Sequence, residues 1–170
     1  MAQPHSDISP KEGDKAPSFE LPAVSGADIQ AELNCSLHDY AKGLLVLYFY
    51  PKDLTSGCTV EANEFNENLA SFAAENCSIV GVSKDSIKRH KKFIEAHNLA
   101  FTLASDEAGE MLQSYGVWVE KSMYGKKYMG IDRATFIIDQ QGNIVHVWRK
   151  VKVKGHVDAV LDAVRTLNNA

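Results

Sequence analysis

Leu44-Leu-Val-Leu-Tyr-Phe-Tyr50-Pro51-Lys52-Asp53-Leu54-Thr55-Ser56-Gly57-Cys58-Thr59 is the stretch whose reading decides the fold. Every position from Leu44 to Tyr50 is aliphatic or aromatic, so a strand formed here offers apolar side chains to both faces of a sheet. A strand with one wet face alternates with polar residues; this one belongs in the centre, covered on both sides. Pro51 has no N–H to give to a ladder and ends the strand. Beyond Cys58 the apolar residues Val60, Phe65, Leu69 and Phe72 recur at roughly helical spacing, and Ala62 and Ala73 favour helix. The pattern predicts one helix from about Thr59 to Glu75, with Cys58 in its first turn.

The same reading continues outward. Ser78-Ile-Val-Gly-Val-Ser83 reads as a strand, followed by a helix capped near Asp85 or Ser86 that carries Ile87, His90, Phe93 and Ile94, and by a short strand at Phe101 to Leu103. A short helix from Glu107 to Tyr115 stops at Gly116. Ala134-Thr-Phe-Ile-Ile-Asp139 and Asn143-Ile-Val-His-Val-Trp148 flank Gln140-Gln141-Gly142 as a hairpin. Val157, Val160, Leu161, Val164 and Leu167 form the apolar stripe of a closing helix. Together these elements predict an α/β architecture, a central mixed β-sheet flanked by helices. Residues 1–15 are polar and without period, and are expected to form a loose tail before Ala16-Pro17-Ser18-Phe19 opens the domain.

At 170 residues, 45% of them hydrophobic, the chain suits one domain with a continuous core. A formal charge of −4 gives no footprint for a polyanion, so nucleic acid is not an expected partner. No apolar run reaches the ~20 residues of a membrane span, and the first residues lack a signal-peptide core. The protein is therefore expected to act in the cytoplasm. Cys35, Cys58 and Cys77 are an odd number at spacings that suit neither a disulfide framework nor a zinc site, and free thiols are expected. The six histidines form no metal-ligand pattern, so no metal or other cofactor is expected. Arg149-Lys150-Val151-Lys152-Val153-Lys154 reads as a solvated strand face. Trp118, Tyr124, Tyr128 and Met129 read as loop residues anchored to the core rather than as the border of an entrance.

The chemistry gathers at Tyr50 to Thr59. A loop leaving the C-terminal end of a buried strand and entering a helix brings unpaired amides and the positive end of the helix dipole together, and both stabilise a thiolate. Cys58 is the candidate nucleophile. For any thiol, lowering the pKa from about 8.5 to about 6 raises the thiolate fraction at neutral pH only about 30-fold, and nucleophilicity falls with it. Acidity alone therefore does not make a good catalyst, and donors aimed at the charge that moves in the reaction must add to it.

Pro51, Thr55 and Cys58 resemble the Pro-x-x-x-Thr-x-x-Cys signature of the peroxiredoxins, and Arg133-Ala-Thr-Phe-Ile-Ile-Asp139 stands where that family places its later strand. The likeness spans about residues 12–165 and is greatest to the bacterioferritin comigratory protein, or peroxiredoxin Q, subfamily. It implies a thioredoxin-like fold in a single domain over residues 12–170, with residues 1–11 as a flexible tail, in a monomer or weak dimer. It implies an antioxidant oxidoreductase in which Cys58 attacks hydroperoxides and becomes a sulfenic acid. By resemblance Thr55 hydrogen-bonds the thiolate and the peroxide oxygen, Arg133 orients and charges the site, and Pro51 shields it from water. Glu61 is not assigned a role, because acids near a helix start are common for dipole reasons alone.

Two positions depart from the subfamily. Ser56 stands where proline usually precedes Gly57, and Asn63 stands where many members carry a second cysteine. A disulfide needs Cα atoms within about 7 Å. A helix from Cys58 to Glu75 puts Cys77 roughly 25 Å away, and Cys35 is expected near the opposite edge of the sheet. The leading expectation is a one-cysteine cycle reduced by glutathione, glutaredoxin or thioredoxin; the rival is a disulfide to Cys77 or Cys35 after local unfolding. A reading from another class, a thioredoxin-fold redox sensor or chaperone, fits less well with Thr55 and Arg133 both present. A thiol-disulfide oxidoreductase would want cysteine where Thr55 stands.

Overall fold

The computed structural model describes residues 9–170. Its nine strands are β1 (Glu20–Ser25), β2 (Asp28–Ser36), β3 (Leu44–Phe49), β4 (Cys77–Ser83), β5 (Thr102–Ser105), β6 (Trp118–Met123), β7 (Lys126–Ile131), β8 (Ala134–Ile138) and β9 (Ile144–Trp148). The helices are α1 (Ser56–Glu67), α2 (Leu69–Ala74), α3 (Ile87–His97), α4 (Glu110–Ser114) and α5 (His156–Asn168). Seven strands form one mixed sheet in the order β2-β1-β5-β4-β3-β8-β9. The three inner strands β3, β4 and β5 run parallel, and the remaining pairings are antiparallel. The sheet is thus mixed and flanked by helices, as the sequence indicates.

The uninterrupted apolar run of β3 is explained by two cores. Val46, Tyr48 and Tyr50 enter a cluster with Phe65, Phe72, Phe93, Val160 and Val164, contributed by α1, α2, α3 and α5. Leu45, Leu47 and Phe49 enter a second cluster with Met111, Leu112, Tyr115 and Phe136 on the other face. Alternation along the strand therefore feeds both layers, and the stripe of α5 packs as its period predicts.

Several expectations are corrected. The single helix expected from Thr59 to Glu75 is two, broken at Asn68, whose side-chain amide donates to the Glu64 carbonyl at 2.8 Å and competes with the backbone. The short helix expected over 107–115 begins only at Glu110, because the Asp106 carboxylate accepts from the Gly109 and Leu112 amides and holds the entry as a turn. Of the expected loose tail, residues 1–8 lie outside the described residues, while residues 10–16 are pinned. Pro10 accepts from Arg149, Gly13 donates to Ile144, and Ala16 donates to Gly142. Arg149-Lys-Val-Lys-Val-Lys154 is loop rather than strand, and Arg149 is not solvated: its guanidinium donates to the carbonyls of Pro10, Tyr115 and Gly116. The aromatic segment 118–131 is a two-stranded hairpin of its own, with Tyr124 98% exposed and Tyr128 and Met129 also exposed. Of the four side chains Trp118, Tyr124, Tyr128 and Met129, Trp118 packs against the core, with the Lys84 ammonium 5.3 Å from its ring centroid.

Candidate active site

β3 delivers the chain to the C-terminal edge of the sheet, and Pro51 to Thr55 turn it into α1. Thr55 is the N-cap residue, and its carbonyl accepts the first helical bond from the Thr59 amide at 2.9 Å. Cys58 lies in the first turn and is buried at 2% exposure. The loop is held rigidly from beneath. Asp53, wholly buried, accepts from the Tyr50 hydroxyl at 2.5 Å, and its other oxygen is 2.6 Å from His90 Nδ1. His90 Nε2 faces the Ala104 carbonyl at 2.9 Å. Both ring nitrogens thus have an oxygen partner, which fixes the orientation of the imidazole. The Asp53 amide donates to Asp85, and Arg89 donates to the Asp53 carbonyl, so the loop is tied to the start of α3.

Arg133 comes from the other side of the sheet edge. Its neighbour Asp132 donates to the Val117 carbonyl at 2.7 Å, and its own carbonyl accepts from Val151 at 2.9 Å, which fixes the residue immediately before β8. The guanidinium forks: Nη2 donates to Cys58 Sγ at 3.4 Å and Nη1 to Glu61 Oε1 at 2.6 Å. Glu61 stands three residues after Cys58 on α1, hence on the same helical face, and is wholly buried. Burial raises its pKa to about 7, against the lowering effect of the Arg133 charge and hydrogen bond. Beneath this group Thr135 Oγ1 and His156 Nε2 lie 2.8 Å apart. Burial, then Arg133, lowers the His156 pKa to about 4, so the ring is neutral near pH 7 and its Nε2 accepts from the threonine hydroxyl.

Of the four residues assigned from the sequence, the structure brings Cys58 and Arg133 into direct contact and sets Pro51 and Thr55 on the loop that leads to them. The Thr55 hydroxyl donates its one hydrogen to the Lys52 carbonyl at 2.8 Å. It therefore has none for the Cys58 thiolate, and its lone pairs are left to accept from an incoming O–H. Glu61, discounted in the sequence, completes the site. The available signal was its place one turn beyond Cys58 among apolar neighbours; what the sequence lacks is the partner, Arg133, far along the chain.

All three cysteines are free and buried. Cys77 pairs in register with Leu44 at the far end of β3, some 20 Å of strand from Tyr50. Cys35 lies on the edge strand β2, four strand spacings from β3, or roughly 19 Å, and in the core of the other face. Burial raises the pKa of Cys35 and takes that of Cys77 to about 12, so both are thiols.

A sulfur at a strand-to-helix corner of a thioredoxin-like sheet, touched by a guanidinium and cut off from any second sulfur, defines a thiol-dependent peroxidase. Residues 12–147 match the AhpC/TSA family, and the chain belongs to it. It is 44% identical to the peroxiredoxin Bcp of Bacillus subtilis (strain 168), over 92% of this chain and 96% of that protein. A solved structure of Xanthomonas campestris peroxiredoxin Q superposes with a TM-score of 0.79 at 42% identity, covering 87% of this chain and 91% of that one. A second Xanthomonas campestris structure, of bacterioferritin comigratory protein, bears on that protein's alkyl peroxide reduction activity; it matches with a TM-score of 0.79 at 41% identity, over 87% of this chain and 92% of its own.

Proposed function

We propose that Cys58 reduces hydrogen peroxide and organic hydroperoxides in a one-cysteine cycle completed by an external thiol. The Cys58 thiolate attacks the terminal oxygen of ROOH; the O–O bond breaks, the sulfur is oxidised to sulfenic acid, and RO⁻ leaves and takes up a proton as the alcohol. A thiol, from thioredoxin, glutaredoxin or glutathione, then displaces water from the sulfenic acid to give a mixed disulfide. A second thiol releases Cys58 as the thiol and leaves as the oxidised disulfide. Arg133 holds the thiolate and offers its remaining N–H groups to the departing oxygen, Thr55 accepts the peroxide O–H, and Pro51 limits water at the sulfur. Alkyl hydroperoxides are included because the Xanthomonas relative is associated with alkyl peroxide reduction. Three unpaired thiols suit the reducing cytoplasm as the place of action.

The observation that carries the reading is the 3.4 Å contact from Arg133 Nη2 to Cys58 Sγ. The placement of Cys77 at the far end of β3 and of Cys35 on the edge strand β2 supports the external thiol over an internal disulfide. The test is hydrogen peroxide and alkyl hydroperoxide consumption under excess dithiothreitol, then with thioredoxin, glutaredoxin and glutathione systems, for wild type and Cys58→Ser. Turnover lost in Cys58→Ser is expected, and stoichiometric consumption by wild type would point instead to a redox sensor. Mass spectrometry of Cys77→Ser and Cys35→Ser after one equivalent of peroxide is expected to find sulfenic acid in both. A Cys58 disulfide present in wild type and lost in either variant would replace the one-cysteine cycle.

A further inference from the structure

Among the described residues, two buried side-chain polar atoms have no hydrogen-bond partner, Tyr48 Oη and Glu61 Oε2. Both belong to the layer beneath Cys58. Tyr48 lies in β3 under α1, its ring stacked on Phe65 with centroids 4.6 Å apart. Phe65 stands one turn beyond Glu61 on the same face of α1. Space for the tyrosine ring is made by its register partner Gly81 in β4, where a Cβ would lie 2.9 Å from Tyr48 Cε1 and Cζ. A phenylalanine would fill that space equally well without a hydroxyl. Leaving a hydroxyl and a carboxylate oxygen unpaired in full burial is unfavourable, and here one is a donor and the other an acceptor. Burial, and then the neighbouring Glu61 and Cys58, raises the pKa of the Tyr48 hydroxyl.

Resting on the reading of Cys58 given above, we propose that Tyr48 is a positioning residue of the site: its hydroxyl and Glu61 Oε2 join, directly or through one water, into a hydrogen-bonded unit that fixes how the Arg133 guanidinium is divided between Glu61 and Cys58. One cation serves two potential anions. The groups that face this unit are Arg133 from the turn before β8, Cys58 and Glu64 from α1, and Asp53 from the loop after β3; His156 of α5 faces Arg133. Donation from Tyr48 stabilises the Glu61 carboxylate and keeps it paired with Nη1, which leaves Nη2 aimed at sulfur. Without that donor Glu61 keeps its proton to higher pH, and a neutral carboxyl no longer holds the fork in place.

The test is the pH profile of kcat/KM from about pH 5 to about pH 9 for wild type, Tyr48→Phe, Glu61→Gln and the double variant, with thermal stability measured alongside. Tyr48→Phe is expected to move the ionisation assigned to Glu61 upward by about one pH unit, the worth of one hydrogen bond to a charged group. Glu61→Gln is expected to abolish that ionisation, and the double variant to match Glu61→Gln. Infrared titration of the Glu61 carboxyl, with Glu61→Gln as the blank, reads the same shift independently of turnover. A Tyr48→Phe profile superimposed on wild type, with equal or higher stability, overturns the proposal and makes the hydroxyl an idle orphan. Cys58→Ser in parallel separates the two readings: turnover surviving in it refutes Cys58 as the nucleophile, whatever Tyr48→Phe does.

Discussion

Arg133→Met removes the guanidinium while keeping much of the apolar stem, and its consequences separate into two measurable parts. In catalysis it deletes the Nη2 contact to Cys58 Sγ and the donor available to the leaving oxygen. Charge-assisted hydrogen bonds and oxyanion donors of this kind are worth roughly 2 to 4 kcal/mol, so kcat/KM is expected to fall about 30- to 1000-fold. In stability it strips the partner from a wholly buried carboxylate. Glu61 is an acid whose pKa is raised on folding, from 4.5 to about 7. The folded state then binds the extra proton, so stability is full below the unfolded value and declines as pH rises through the folded one. At 1.36 kcal/mol per unit, this decline amounts to roughly 3 kcal/mol in the wild type. With Arg133 gone, the two influences that lower the Glu61 pKa are gone as well, and the decline extends above neutral pH. The destabilisation caused by Arg133→Met is therefore expected to be larger at about pH 8 than at about pH 5.5, by roughly 1 kcal/mol. Urea unfolding at both pH values and peroxide consumption under dithiothreitol measure the two parts. A destabilisation independent of pH would refute the buried pair, and an activity loss below about threefold would remove Arg133 from the reaction.

Further outcomes follow from the same geometry. Asp53→Asn keeps an acceptor for Tyr50 and gives His90 Nδ1 a donor, so it is expected to lose under about 1.5 kcal/mol in urea unfolding, whereas Asp53→Ala strands His90 and Tyr50 and loses about 3 to 5; equal losses would show that a neutral amide cannot replace the carboxylate. Iodoacetamide under native conditions is expected to label Cys58 alone, and all three cysteines in urea, because all three are buried but only Cys58 has a guanidinium against its sulfur, while burial raises the pKa of Cys35 and Cys77; native labelling of Cys77 ahead of Cys58 would contradict this. Asn66 clamps the end of α1 by donating to the Asn98 carbonyl at 3.0 Å and accepting from the Ala100 amide at 2.8 Å. Asn66→Ala is expected to speed hydrogen exchange across residues 59–67 about tenfold or more while β3 is unchanged, and uniform acceleration would deny α1 its independence.

The centre of the molecule was legible because burial on both faces leaves a mark that needs no partner to interpret: the run Leu44–Tyr50 can only be an inner strand. The stripe of α5 and the Ser86 cap of α3, whose hydroxyl accepts from the Arg89 amide, were equally local signals. The edges were not read. β2 does alternate, with Ile29, Ala31, Leu33 and Cys35 between polar residues, and that signal was passed over, whereas the β6–β7 hairpin is wet on much of its surface and carries no clean alternation. Arg149 looked solvated because its three carbonyl acceptors come from segments far away in the chain. At the site, Cys58, Arg133, Thr55 and Pro51 were found through a motif. Glu61 was missed since a carboxylate is kept inside a protein only by its partner, and pairing across 72 residues leaves no periodic trace. The direction of the Thr55 hydroxyl is likewise set by a turn carbonyl that only the folded loop supplies.

The two sides of the sulfur are held in different ways. Upstream, the loop from Tyr50 to Thr55 is fixed to α3 and β5 through Asp53, His90 and Ala104, all without use of α1. Downstream, α1 is a single twelve-residue segment that ends in a break at Asn68. Cys58 is 2% exposed, so in the cycle proposed above a protein thiol would reach its sulfenic acid only once that residue is uncovered. The element free to move is α1, since its departure leaves Pro51, Asp53 and their bonds to α3 intact. The backbone at Asp132 and Arg133 is held by Val117 and Val151 without α1, but the Arg133 guanidinium is held by Glu61 and Cys58 of α1. Reclosing then returns Cys58 to a loop that has stayed in place, and only the pairing of Arg133 with Glu61 and Cys58 has to be made again before O–O cleavage.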